Sequence, residues 1–152
     1  MSPAEPDLGP DSGPGPGPDH GFPGRPVGEV YDWYVRGLAM LESGHPQAAT
    51  VLLARVAEVE GPTRSVSEAL GRAHFDSRRF AEAAEAFAAI VEAHPDDHYA
   101  RFGLGLSAAR LGDFARAAEH LALAVAMRPD LDHYERALRE VRATIEARRG
   151  TR

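Results

Sequence analysis

Two histidines and two aspartates fall within five residues at His94-Pro95-Asp96-Asp97-His98. Imidazole nitrogens and carboxylate oxygens are the ligands of a hydrolytic zinc site, and a further aspartate can act as the base that activates water. A few residues on, Gly103 to Ala108 spell GLGLSA. This fits G-x-G-x-x-A, in which glycines let the backbone approach the pyrophosphate of a dinucleotide. Both chemistries demand a specific element beneath them. The dinucleotide fingerprint, for one, lies between a β-strand and a helix.

The surrounding sequence denies them that strand. AHPDD resembles the opening of AHPDDE, the signature of LmbE-like zinc deacetylases, but the sixth position here is His98 rather than glutamate. The preceding FAEAAEAFAAIVEA has helical periodicity, and no parallel-sheet pattern occurs in the chain. GLGLSA likewise lies inside a helical run. His45, His74, His120 and His133 are scattered singly, and no Ser/His/Asp or paired-carboxylate arrangement stands out. The expectation is a protein that is not an enzyme, with no catalytic, cofactor-binding or metal residues and no cofactor.

Composition narrows the partners. The chain has 17 basic against 23 acidic residues, for a net charge of −6, and all its basic residues are arginine. A surface of that sign is not built to neutralise phosphates, so nucleic acid is not the expected partner. The absence of cysteine excludes disulfides and thiolate chemistry. Arginine without lysine suggests a high-GC, bacterial coding sequence. No segment approaches the roughly 18 consecutive apolar residues of a membrane span. Nor does the N-terminus carry the basic and apolar regions of a signal peptide, so a cytoplasmic location is expected.

Residues 1–28, MSPAEPDLGPDSGPGPGPDHGFPGRPVG, are dominated by proline, glycine and aspartate. Such a segment buries too little apolar surface to offset the entropy of ordering it, which predicts a disordered leader. Phe22 and Val27 are its apolar groups nearest the following helix, and they could fold back upon it. From residue 29 the pattern changes to one of helical spacing, continuing to 149.

Within that body the sequence repeats. ALGRAHFDSRRFAEAAEAFAAIVEAHPDD aligns with GLGLSAARLGDFARAAEHLALAVAMRPDL, so that Gly71 meets Gly105, Ala83 meets Ala117 and Pro95 meets Pro129. The offset is 34 residues, and one further step back reaches Gly37 and Ala49. A helix–turn–helix unit at this period resembles the tetratricopeptide repeat. The residues that carry the resemblance are Trp33, Gly37, Ala49 and Leu53; then Leu70, Gly71, Ala83, Phe87 and Pro95; then Leu104, Gly105, Ala117, Leu121, Ala124 and Pro129. Three contiguous repeats are predicted at 30–63, 64–97 and 98–131. Val56, Ile90 and Arg36 depart from the family pattern, and Gly61-Pro62 displaces the first proline by one place. After Leu131, Tyr134, Ala137, Leu138, Val141 and Ile145 form one apolar stripe, which predicts a capping helix over 132–148 ended by Gly150. The fold class is therefore all-α: a solenoid of three repeats and a cap behind a disordered tail.

The resemblance implies that the first helix of each repeat lines a concave surface that binds a peptide or helix of a partner protein. The groove positions then fall on Tyr31, Tyr34 and Leu38 in the first repeat and on Glu68, Arg72 and Phe75 in the second. Tyr99, Phe102, Leu106 and Arg110 complete it in the third, with Leu41 and Asp76 also placed on this face. Members of the family that bind chaperone tails clamp a terminal carboxylate with lysine, arginine and asparagine. The corresponding places here hold Tyr34, Leu38, Ala69, Tyr99 and Gly103, so no such clamp is expected. The anticipated function is an interaction adaptor with an aromatic and apolar groove. The competing reading is a homo-oligomer that buries the same face against another copy.

Overall fold

Three tight turns recur at one register position and set where the first helix of each repeat stops. Gly44, Arg78 and Gly112 all adopt positive φ, at 85°, 64° and 88°. After each, the next residue's N–H reaches back to a helix carbonyl: His45 to Met40, Arg79 to His74 and Asp113 to Ala108. The computed structural model describes residues 27–151. These residues form seven helices: α1 (Val27–Glu42), α2 (Pro46–Glu60), α3 (Arg64–Asp76), α4 (Phe80–Ala93), α5 (His98–Arg110), α6 (Phe114–Met127) and α7 (Asp132–Gly150).

Helix starts follow ordinary capping chemistry. Thr63 accepts the Val66 N–H, Asp97 the Ala100 N–H and Asp113 the Arg116 N–H. At α2, Pro46 occupies the first turn, where a missing N–H costs little. Two boundaries differ from expectation. Val27 and Gly28 belong to α1 rather than to the leader, because Val27 lies one helical turn before Tyr31 and Glu29 suits the positive end of the helix. Phe22 and the rest of the leader lie outside the described residues. At the other end α7 runs through Gly150, since glycine in an exposed last turn costs only about 1 kcal/mol.

Within each repeat a glycine of the first helix receives a large side chain of the second. A Cβ on Gly37 would stand 2.9 Å from Leu53, one on Gly71 2.7 Å from Phe87 and one on Gly105 2.8 Å from Leu121. One turn after Ala49, Ala83 and Ala117, each second helix therefore seats a large knob on bare backbone. Those three alanines and three knobs are all buried, as are Val56 and Ile90, which replace the small residue of the family pattern. Ile90 packs with Phe87, Ala100 and Leu104, and Val56 with Val30 and Val66, so each fills the seam to the next repeat.

Every helix packs on its chain neighbours. In addition α1 touches α3, α3 touches α5 and α5 touches α7, whereas α2, α4 and α6 do not meet one another. The odd helices thus crowd together on the inner side of the curve and the even ones splay on the outer side. Tyr134, Leu138 and Val141 of α7 are buried, with Ala137 and Ile145 packed beside them. At the register place of Gly37, Gly71 and Gly105, α7 carries exposed Arg139.

Candidate functional site

The inner surface is built from one face each of α1, α3 and α5. The ten groove residues expected from sequence all lie on these helices, and none is fully buried. The fold brings five of them, Arg72, Phe75, Tyr99, Phe102 and Leu106, around one cavity of about 110 Å³ between α3 and α5. Asp76, Phe87 and Gly103 complete its lining. Tyr34 and Leu38 instead pack along the α1–α3 seam against Ala69 and Ala73, while Tyr31 stands 65% exposed at the end of the array. Leu41 is a correction: it is 6% exposed and belongs to the core, because its position on α1 points toward Ala49 and Leu53.

Phe87 and Gly103 were not among the expected site residues, and together they make the floor. A Cβ on Gly103 would lie 2.7 Å from the Phe87 ring, as would one on Gly71. The ring is therefore wedged between α3 and α5. The signal was present at the repeat spacing: Phe87 occupies the place of Leu53 and Leu121, and Gly103 that of Val35 and Ala69. The larger knob of the second repeat is matched by a smaller residue on the third.

The walls are aromatic. Phe75 meets Phe80 edge-on at 5.1 Å, and the Arg110 guanidinium covers both rings, at 5.1 and 5.2 Å. Tyr99 stands edge-on to Phe87 at 6.1 Å. Burial pushes its phenol above the ordinary range. Phe102 has a second role, since it stacks on Tyr134 at 4.4 Å and meets His133 at 5.3 Å, pinning α5 to the capping helix.

Charge gathers on α3. Glu68, Arg72 and Asp76 follow one another at intervals of four residues and so share a face. Arg72 donates to Glu42 of α1 at 3.4 Å. Glu68 is half-buried; desolvation and then Asp97 raise its carboxyl pKa, while Arg72 and Arg64 pull it back.

The pentapeptide His94–His98 is used for architecture. Asp97 accepts the Ala100 N–H at 2.9 Å on one oxygen and the Arg64 Nε–H at 2.8 Å on the other. Arg128, which can only donate, faces His98 Nε2 at 3.3 Å, leaving Nδ1 as the donor to the Tyr134 hydroxyl at 2.8 Å. Among the described residues, no three His, Cys, Asp or Glu side chains cluster as metal ligands would. GLGLSA lies within α5, where Gly103 and Gly105 seat Phe87 and Leu121. No described helix is long and apolar enough to cross a membrane.

Comparison with known proteins agrees with this architecture. A family model described as "Tetratricopeptide repeat" matches residues 68–132. The tetratricopeptide domain of Sgt2 from Aspergillus fumigatus shares the fold with a TM-score of 0.74 and 20% identity, over 82% of this chain and 84% of that one. MamA from Desulfovibrio magneticus, from residue 41 to its end, gives 0.74 and 21%, over 77% of this chain and 66% of that one. The first tetratricopeptide domain of Spaghetti (RPAP3), solved bound to the HSP90 peptide SRMEEVD, gives 0.72 and 13%, over 78% and 94%. Comparison with curated proteins found no match.

Proposed function

The chain is a tetratricopeptide-repeat protein, and from that premise we propose that it is a non-enzymatic adaptor whose concave groove binds a peptide or helix of a partner protein. The observation that carries this reading is the cavity between α3 and α5. It is lined by four apolar or aromatic side chains that remain partly exposed, with charged groups at its rim. Apolar anchors in a pre-formed concavity, bordered by groups that orient a ligand, are the usual chemistry of peptide recognition. The binding residues assigned are Tyr31, Tyr34, Leu38, Glu68, Arg72, Phe75, Tyr99, Phe102, Leu106 and Arg110.

Affinity capture with the full chain as bait tests the assignment. Leu106→Gln, which removes an apolar wall without adding charge, should abolish partner recovery. Val51→Gln, on the outer surface of α2 where Val51 is 63% exposed, should not. Circular dichroism should report both variants folded. Capture indifferent to Leu106→Gln, or lost with Val51→Gln, contradicts the groove.

A second reading, self-association, is favoured by α1. Val35 is 42% exposed there, although its register mates Ala69 and Gly103 are buried by the preceding repeat. Light scattering on the same samples separates the two, a monomer mass at micromolar concentration removing the homo-oligomer.

A further inference from the structure

We infer that the groove selects a partner segment that pairs an apolar side chain with a cation, the first filling the α3–α5 cavity and the second meeting the carboxylates of α3. This rests on the adaptor reading above and names the chemistry of its partner. The observation behind it is an imbalance of charge. Along this stripe stand three carboxylates, Glu42, Glu68 and Asp76, and one guanidinium, Arg72, whose ion pair is with Glu42. The other nearby arginines are engaged elsewhere: Arg110 lies over Phe75 and Phe80, and Arg64 is bonded to Asp97. Glu68 has no ion pair among the described residues, although it is half-buried. A carboxylate withdrawn from water without a partner is a destabilising arrangement that an incoming cation relieves. Its raised pKa agrees with that account.

The helix supplies the spacing. Glu68 and Arg72 are one turn apart, about 6 Å along α3. An extended partner would therefore carry its cation about two positions from its anchor, and a helical one three or four.

Other occupants fit less well. The leader, residues 1–26, carries Glu5, Asp7, Asp11 and Asp19 against Arg25, the same sign as the groove. A second copy brings a net charge of −6. Acidic peptides, such as the one held by the Spaghetti domain, would set carboxylate against carboxylate.

Selection from a display library of random twelve-residue peptides tests the inference, with the full chain as target. Leu106→Gln serves as the groove-disabled control. The pool retained by the wild-type chain and lost on Leu106→Gln should be rich in Lys or Arg two to four positions from Leu, Met or Phe. A synthetic peptide from that pool should bind Glu68→Gln about tenfold more weakly. Asp76→Asn should also weaken it, and circular dichroism should report both variants folded. A groove-dependent pool without basic enrichment, or one rich in acidic residues, overturns the charge inference and leaves the adaptor reading standing. No groove-dependent pool at all, as when the leader or a second copy fills the groove, overturns both.

Discussion

At the residue scale, Asp97 shows how a side chain that looks catalytic is occupied by structure. Its two oxygens cap α5 and hold Arg64 of α3, which ties the second repeat to the third. Burial alone would raise its pKa, but the Ala100 N–H and Arg64 outweigh burial and hold it below the ordinary aspartate value. A lowered folded-state pKa contributes stability that is fully present above the unfolded value and lost as pH falls through the folded one. Asp97→Ala should therefore cost about 1 kcal/mol in denaturant unfolding at neutral pH. The difference from wild type should close once the pH drops below the aspartate range. A difference that stays constant into acid would mean that Asp97 does not act through its charge.

At the element scale, the turns were legible because glycine, proline and aspartate have few other reasons to recur at a fixed spacing. Arg78 is none of these residue types, and its left-handed backbone emerges from the structure. Gly44 and Gly112 hold the same conformation at its register positions without a side-chain penalty. A non-glycine residue there costs about 1–2 kcal/mol, and glycine costs about 0.5–1 kcal/mol more in chain entropy. The contact of the Arg78 guanidinium with Phe80, at 5.7 Å, is exposed and weak. Arg78→Gly should thus raise unfolding stability by about 0.5–1 kcal/mol, measured by chemical denaturation. Destabilisation would show that the arginine side chain matters more to this turn than its backbone does.

At the scale of the whole molecule, the repeat at 34 residues carried the fold, because each unit is stabilised by the same contacts and spells them three times. That register puts the ten expected groove residues on α1, α3 and α5. What register alone could not supply was depth and direction. Phe102 divides itself between the cavity and Tyr134 because α7 packs where no earlier repeat offers a template. Leu41 turns inward by a small rotation that sequence spacing does not resolve. The pairing of Phe87 with Gly103 was visible as two departures from the pattern, but only their contact explains them together.

Docking of a partner on the concave α3–α5 face, as proposed above, can be read residue by residue in solution. It is tested most directly by nuclear magnetic resonance, titrating the isotope-labelled full chain with a peptide recovered from the library. Amide shifts should move at Arg72, Phe75, Tyr99, Gly103 and Leu106, with Phe87 of the floor, and stay fixed along α2 and α6. Shifts confined to the outer helices, around Val51 and Val59, would contradict it.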